Sequence, residues 1–416
     1  MLSLSGNPLM PAYLALLLGY VMSMFYRSFL AIVAGDLSRD LGFGASELSG
    51  LSSAWLVAFA LAQIPLGPLL DRFGGGRMVA ACSLLSVGGA IAFSLSQSYA
   101  MSLAAMAAIG VGCAANLMGA TVYVARFMPP RRFALMLAVL ISVGSIGQLL
   151  GATPLALATQ AFGWRATLLS TAGLSLISGL AILATVKDHV RRPGAEAVRV
   201  PALTGALLIA RLPALHRMLP VIFMSYAVVI SERSLWIGPY LAQVHGFDTI
   251  AIGNAALVMS LLMAFGALAF GPAERLMRGP KPPALWSCVV VGAAFILLGA
   301  SSPQGLAVPI ILFCLIGFFG MSYGTLMAHA RLFIPDHLIG VGVTFINFVF
   351  MGGSGIVQLL SGLFIDRAEA AGIDAPHRYA ILHLAFGIAL LAATAIYAGA
   401  RTRPERRPVV LEKVTA

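Results

Sequence analysis

The segment YVMSMFYRSFLAIVAGDLSRD, from Tyr20 to Asp40, decides how this chain is organised. It has the composition of a membrane-spanning helix, with Arg27 near its middle and a second arginine, Arg39, close to its end. A charged side chain at that depth costs about 2.5–3.5 kcal/mol on insertion scales, so it normally faces protein or water and marks a pathway. Arg27 is therefore the first candidate for a functional residue.

The composition indicates a membrane protein with many helices. Of the 416 residues, 60 % are hydrophobic and only 10 % are charged, which excludes a disordered chain and most soluble folds. The net charge of +11 comes from arginines that lie mainly between apolar runs, so it does not indicate a nucleic-acid partner. The four cysteines lie inside apolar segments and the seven histidines are scattered, so the sequence predicts no cofactor, no metal site and no enzyme.

Apolar runs between polar, proline or glycine breaks predict an all-α fold with twelve transmembrane helices. In the first half these helices span 10–34, 47–70, 78–96, 101–125, 133–158 and 165–187. In the second half they span 218–243, 250–274, 284–301, 306–330, 338–366 and 379–400. We therefore expect an N-terminal six-helix bundle (1–187), a linker (188–217), a C-terminal six-helix bundle (218–400) and a tail (401–416).

The loop charges predict the orientation in the membrane. Most of the 26 basic residues lie in one set of loops, in the linker and in the tail. The opposite loops hold only Arg39, Arg165, Arg367 and Arg378. Because cytoplasmic loops carry the excess of Lys and Arg, both termini and the linker are expected in the cytoplasm. The frequent use of Arg, Ala and Gly suggests a GC-rich bacterial genome, and the chain is therefore expected in a bacterial inner membrane.

The two halves resemble each other in sequence. GATVYVARF after Met118 corresponds to GTLMAHARL after Tyr323, with Ala-Arg at the same offset from the glycine. GSIGQLLG (144–151) likewise corresponds to GSGIVQLLSG (353–362). Transporters built from such repeats bind their substrate between the halves, near the bilayer midplane.

Arg27 and Arg233 are the two basic residues that no predicted loop accommodates. The repeat places the first and seventh predicted helices opposite each other, so that Tyr26-Arg27 corresponds to Glu232-Arg233. Adjacent residues of a helix point about 100° apart, so Glu232 neutralises at most one of these arginines. The site is therefore expected to be electropositive and to favour an anion.

Arg27 and Arg233 are the main predicted substrate ligands, because a guanidinium group binds carboxylate or phosphate oxygens in a bidentate way and stays charged. The alternative is a structural role, in which these arginines interact with Glu232, with helix carbonyls or with interfacial water. Glu232 is the candidate for proton coupling, because burial disfavours its charged form. A plain ion pair is the alternative for Glu232.

Further polar side chains inside predicted helices are weaker candidates for substrate binding. Gln148 and Gln358 lie in the repeated glycine-rich motif, where each either donates to a bound oxyanion or holds helices together. The remaining candidates are Tyr26, Asn116 and Asn347, with Tyr226 and Tyr323 considered as interfacial aromatics or helix contacts.

The segment GPLLDRFGGGR (67–77) resembles the signature of the major facilitator superfamily in the loop between its second and third helices. Gly67, Asp71, Arg72 and Gly74 match that pattern, whereas glycines stand where basic residues are usual and Arg77 comes one position late. The resemblance implies two six-helix bundles that work by alternating access. It also implies a gating role for these five residues, in a cytoplasmic charge lock.

The sequence therefore predicts a secondary active transporter, expected to be monomeric, for a small anion. The arginine pattern is similar to that of anion:cation symporters and organophosphate antiporters, and the glycine-rich helices to nitrate/nitrite porters. Uptake is favoured, and the coupling ion is a proton or a counter-anion. The alternatives are an exporter of hydrophobic or cationic compounds, a copper importer using Met259 and Met263, and a non-transporting membrane sensor.

Overall fold

The computed structural model describes residues 9–73, 75–127, 136, 139–186, 202–300, 307–335 and 338–403. Within these ranges the regular structure is helical, without a β-strand. Eleven helices are long and apolar enough to cross a membrane, and one bent pair, Met10–Tyr26 with Leu30–Leu41, completes a twelfth span. The predicted all-α fold with twelve membrane helices is confirmed.

The bounds of the spans agree with the predicted ones to within a few residues at most ends. The first half holds α1 (Met10–Tyr26 and Leu30–Leu41), α2 (Ala45–Phe73), α3 (Gly75–Ser94), α4 (Tyr99–Phe127), α5 (Val139–Phe162) and α6 (Trp164–Thr185). The second half holds α7 (Pro213–His245), α8 (Thr249–Leu276), α9 (Lys281–Ala300), α10 (Ala307–Arg331), α11 (Ile339–Ala370) and α12 (Ala375–Ala398). A further helix, Ala202–Ala210, lies within the predicted linker and packs against α11.

Helix α1 is broken at residues 27–29 and bends there by 51°. This segment contains no proline, but the Ser28 hydroxyl lies 3.4 Å from the carbonyl oxygen of Met24 and 3.3 Å from that of Phe25. A serine that bonds back to the preceding turn competes with helical hydrogen bonds and bends the helix. Gly151 of α5 packs against Ser28, so the break is also held from outside.

Helix α7 is also irregular at its arginine, because residues Glu232–Trp236 form a π-helical turn. Such turns are rare and are frequently found at functional sites. Both helices end alike, at Gly42 in α1 (φ 70°) and at Gly246 in α7 (φ 68°). These left-handed caps, each followed by a phenylalanine, support the proposed relation between the two helices.

The two halves meet along α2 with α11 and α5 with α8. At four glycines of the second half an added Cβ would overlap atoms of the first half, so only glycine permits this approach: Gly238, Gly253, Gly355 and Gly362. The Ser46 backbone N–H at the start of α2 donates to Asp366 Oδ2 of α11 at 3.0 Å. The halves are thus in direct contact on the side that the loop charges predict to be extracytoplasmic.

Candidate substrate-binding site

Arg27 is placed between the two halves by the break in α1. Its Nη1 donates to the hydroxyl of Tyr226 on α7 at 3.0 Å, and the side chain is only partly buried. Its Nε is buried without a hydrogen-bond partner among the described residues. Within those residues no carboxylate forms an ion pair with Arg27. The guanidinium group therefore retains capacity for an anionic ligand.

Aromatic side chains surround the guanidinium group of Arg27. Its Cζ lies 5.3 Å from the ring centroids of both Trp55 and Phe59 on α2, and those two rings stack at 5.1 Å. A cation within about 6 Å of an aromatic ring is stabilised by about 0.5–2 kcal/mol. Across the interface, the rings of Tyr226 and Tyr323 lie 5.5 Å apart. The arrangement combines one cation with flat apolar surfaces from both halves.

A hydrogen-bonded chain extends from these tyrosines back to the first half. The hydroxyl of Tyr323 donates to Asn347 Oδ1 at 2.7 Å, and Asn347 Nδ2 donates to Gln63 Oε1 on α2. The structure therefore places the predicted site residue Asn347 next to the aromatic side chains around Arg27, where it joins α11 to α2.

Arg233 has a different environment. It is 1 % exposed, its Nε donates to Ser260 Oγ of α8 at 2.6 Å, and its Nη2 donates to the backbone carbonyl of Gln148 at 3.1 Å. Its Nη1 is buried without a partner among the described residues. Gln148 thus contacts Arg233 through its backbone, while its side-chain Nε2 lies 3.7 Å from the sulfur of Met24. Arg233 links α7 and α8 to α5 of the other half.

Glu232 contacts a histidine on the last helix. Its Oε2 lies 3.2 Å from Nε2 of His383 on α12, and both side chains are fully buried. Glu232 Oε1 and His383 Nδ1 have no hydrogen-bond partner among the described residues. The sequence shows His383 only as one of seven scattered histidines, and its distance of more than a hundred positions from Glu232 gave no signal of the pair.

Tyr26 and Asn116 lie inside the first bundle, apart from Arg27's aromatic surroundings. The Tyr26 hydroxyl is hydrogen-bonded with Ser175 of α6 at 3.1 Å, and Asn116 Oδ1 accepts from Ser83 of α3 at 3.4 Å. Both residues line a small cavity between α1, α3, α4 and α6, with room for about one water molecule. The structure therefore does not bring them to the arginines.

Gln358 is fully buried on α11, and neither side-chain amide atom has a hydrogen-bond partner among the described residues. Its backbone carbonyl accepts from Ser361, whose Oγ in turn accepts from Trp236 Nε1 on α7. A buried amide without partners is unusual, and water or a ligand is the ordinary way to satisfy one. The substrate role of Gln358 stays a prediction.

The predicted gating residues lie at the opposite end of α2. Gly67, Asp71 and Arg72 belong to α2, but the surroundings of these three residues are not among the described features. Gly74 lies outside the described residues. Arg77 is an exposed residue near the start of α3. The gating role carried over from the loop signature therefore stays a prediction.

The sequence interpretation missed the aromatic side chains of α2. Trp55 and Phe59 stand four residues apart, which places them on one face of a helix. That spacing is a usable signal, but in an apolar helix it is indistinguishable from ordinary packing. Their relation to Arg27 follows from the folded structure, in which both rings lie 5.3 Å from Arg27 Cζ.

Two six-helix halves with a polar centre between them define a class of membrane transporters. The sequence model of the Major Facilitator Superfamily matches residues 16–358, and the chain therefore belongs to that superfamily. The fold is similar to that of a bacterial homologue of the human lysosomal transporter Spinster, with a TM-score of 0.77, 16 % identity and coverage of 94 % of this chain and 97 % of the other. The nucleoside transporter NupG gives a TM-score of 0.75 at 14 % identity, covering 93 % of this chain and 99 % of its own.

Sequence relatives transport small solutes. The 4-hydroxybenzoate transporter PcaK of Pseudomonas aeruginosa is 27 % identical over 180 residues, which are 41 % of this chain and 39 % of PcaK. The gallate transporter of Pseudomonas putida is 25 % identical over 38 % of this chain and 36 % of its own length. The probable nitrate/nitrite transporter NarK2 of Mycobacterium tuberculosis is 25 % identical over 59 % of this chain and 62 % of its own length. The alignments therefore span less than two thirds of the length of these relatives.

Proposed function

We propose that this protein is a secondary active transporter that takes up small aromatic carboxylates by alternating access. It acts in the inner membrane of a bacterium, as a monomer with both termini in the cytoplasm, and a proton or counter-anion drives it. The single observation that carries the proposal is the environment of Arg27: a cation without a carboxylate partner among the described residues, enclosed by aromatic rings from both halves.

The chemistry of this environment fits an aromatic acid. The guanidinium fork of Arg27 pairs with a carboxylate through two parallel hydrogen bonds. Trp55 and Phe59 on one side and Tyr226 and Tyr323 on the other offer flat surfaces for a ring. Aromatic pairs contribute about 0.5–1.5 kcal/mol beyond the area that they bury, so the rings favour an aromatic over an aliphatic acid. The names of the 4-hydroxybenzoate and gallate transporters support the same class of substrate.

The location of Arg27 fits alternating access. Its hydrogen bond to Tyr226 joins α1 of the first half to α7 of the second. A carboxylate bound to Arg27 replaces or extends a contact between the halves, so binding acts on the interface that must open and close. Arg233 lies in the same interface, and its role as a second ligand stays a prediction.

Transport by the purified protein in proteoliposomes tests the proposal. With a pH gradient that is alkaline inside, we expect saturable uptake of 4-hydroxybenzoate and gallate, and no uptake of a cation such as choline. Arg27→Ala is expected to reduce uptake to the level of protein-free vesicles. Arg39→Ala is the matched control, because Arg39 lies on the second segment of α1 with an exposed side chain paired with Asp36.

The competing results are distinct. Unchanged aromatic acid uptake by the Arg27→Ala protein would remove the basis of the proposal. Uptake of nitrate in preference to every carboxylate would retain an anion transporter and reject the aromatic substrate. Export of hydrophobic cations that is insensitive to Arg27 would favour the exporter alternative.

A further inference from the structure

The pair formed by Glu232 and His383 is a buried titratable site that anion binding at Arg27 does not require. Both side chains are fully buried, and Glu232 Oε2 lies 3.2 Å from His383 Nε2. Burying a carboxylate in an apolar environment is costly unless it is paired or protonated. An imidazole that only fills space in the core does not need a carboxylate beside it. The pair is therefore a candidate for a functional role.

The hydrogen-bonding capacity of the pair is incomplete. A neutral imidazole carries one N–H, so when Nε2 donates to Glu232 Oε2 the other nitrogen, Nδ1, is an acceptor. Neither Nδ1 nor Glu232 Oε1 has a hydrogen-bond partner among the described residues. A buried polar atom without a hydrogen-bond partner is destabilising. One additional proton, on Nδ1 or on the carboxyl group, makes the pair electrically neutral.

Aromatic rings surround the pair, and the nearest charged pair on α12 lies beyond them, where Arg378, next to Tyr379, is 3.2 Å from Glu369. Tyr240 on α7 packs its ring 4.9 Å from that of His383, and Tyr379 lies one turn earlier on α12. Helix α9 contributes the apolar ring of Phe295 at 6.2 Å. The nearest cation in sequence is Arg233, the residue after Glu232 on α7. When the pair has lost its proton, its negative charge is adjacent along the chain to this arginine.

The pair is connected to the interface between the halves through the π-helical turn. Glu232 opens this turn, and the following residue, Arg233, donates to the carbonyl of Gln148 in the first half and to Ser260. A change of charge at Glu232 therefore acts on the short backbone segment that positions a contact between the halves. Coupling requires that a change of local charge shifts the equilibrium between two conformations of the protein.

We infer that Glu232 and His383 together form the proton-binding site of this transporter, and that one proton held by the pair accompanies each substrate anion. The inference rests on the proposed function and deepens it by choosing a proton over a counter-anion. His383 is a positioning residue that shares the proton, and neither residue touches the substrate.

Conservative variants separate coupling from substrate binding. Glu232→Gln keeps the size of the side chain, and His383→Gln places an amide nitrogen near the position of Nε2. For both variants we expect that uphill accumulation of 4-hydroxybenzoate driven by a pH gradient is lost. Counterflow exchange, with 4-hydroxybenzoate on both sides and no net proton movement, is expected to continue. His377→Asn is the matched control, because His377 also pairs with a carboxylate on α12, that of Asp374, but is 76 % exposed.

A measurement without substrate keeps this inference distinct from the proposed function. All Asp and Glu side chains absorb in the C=O region once they are protonated, so infrared difference spectra of the wild type and of each variant are compared as the pH falls. We expect one titrating C=O band of the wild-type protein to be absent from Glu232→Gln and shifted in His383→Gln. An identical titrating band in Glu232→Gln, or full uphill accumulation by that variant, overturns the inference. Absence of any carboxylate flux in the wild type, with the band present, instead overturns the proposed substrate class.

Discussion

Arg27 and Arg233 lie on related helices, yet their surroundings differ in almost every respect. Arg27 is partly buried among aromatic rings, and within the described residues it makes one hydrogen bond to a side chain. Arg233 is fully buried, and within the same residues it donates two hydrogen bonds, one of them to a backbone carbonyl in the other half, while its Nη1 has no partner. The first arrangement leaves a cation available to a ligand. The second uses a cation to connect helices.

A difference in register accounts for this contrast. The glycine that ends α1, Gly42, follows Arg27 by two residues more than Gly246 follows Arg233 in α7. Two residues of a helix correspond to a rotation of about 200°, so side chains offset by that amount point to different neighbours. The break in α1 and the π-turn in α7 change the local geometry further. Two arginines that look equivalent in sequence therefore have different partners.

The largest expected effect comes from removing each arginine and measuring affinity. Arg27→Met is expected to raise the Kd for 4-hydroxybenzoate by about 30-fold or more, because removing one partner of a desolvated charge pair costs about 2–5 kcal/mol. Arg233→Met is expected to change that Kd by less than about threefold, since two of the three guanidinium nitrogens of Arg233 already donate to the protein itself. Isothermal titration calorimetry on both purified variants measures the two values.

Transport rates provide the second half of this test. Arg233→Met removes a hydrogen bond between the halves, so turnover is expected to fall although the substrate still binds. Equal loss of affinity in the two variants would contradict the contrast and restore the prediction that both arginines hold the substrate.

The fold was largely predictable because hydrophobicity and charge act locally. Twelve apolar runs required twelve spans, and the predicted bounds match the structure within a few residues at most ends. The departures include local irregularities: α1 continues to Leu41 after its break, and α7 contains a π-turn. Both depend on contacts with other helices, such as Gly151 of α5 against Ser28, which a single segment does not reveal.

The site was predictable only in part, because its members come from separate helices. A charge in an apolar helix singled out Arg27 and Arg233, since burial of a charge is costly wherever it occurs. Trp55 and His383 gave no such signal, because an aromatic or a lone histidine in a membrane helix is usual. Their roles follow from distance, 5.3 Å from Trp55 to Arg27 and 3.2 Å from His383 to Glu232.

A smaller effect is expected from the rings that distinguish Arg27 from Arg233. Trp55→Leu is expected to weaken binding of 4-hydroxybenzoate by about threefold to tenfold, since an aromatic pair contributes about 0.5–1.5 kcal/mol. Binding of cyclohexanecarboxylate, which has the carboxylate without the aromatic ring, is expected to change less. The ratio of the two Kd values is the measurement. An unchanged ratio would show that the rings do not select the substrate.

The smallest expected effect concerns the hydrogen bond between Arg27 and Tyr226. Tyr226→Phe removes the hydroxyl that accepts from Arg27 Nη1 at 3.0 Å, at a cost of about 0.5–1.5 kcal/mol. If a bound carboxylate uses the same guanidinium edge, the variant has lost a competitor and binds 4-hydroxybenzoate more tightly. If the tyrosine instead orients the guanidinium group toward the substrate, binding weakens by a similar factor.

Tyr123→Phe is the control, because the Tyr123 hydroxyl donates to the backbone of Leu9, away from Arg27. Since the edge facing Tyr226 belongs to the contact between the halves, we expect tighter binding and slower turnover, and unchanged binding would place the substrate on another edge of Arg27.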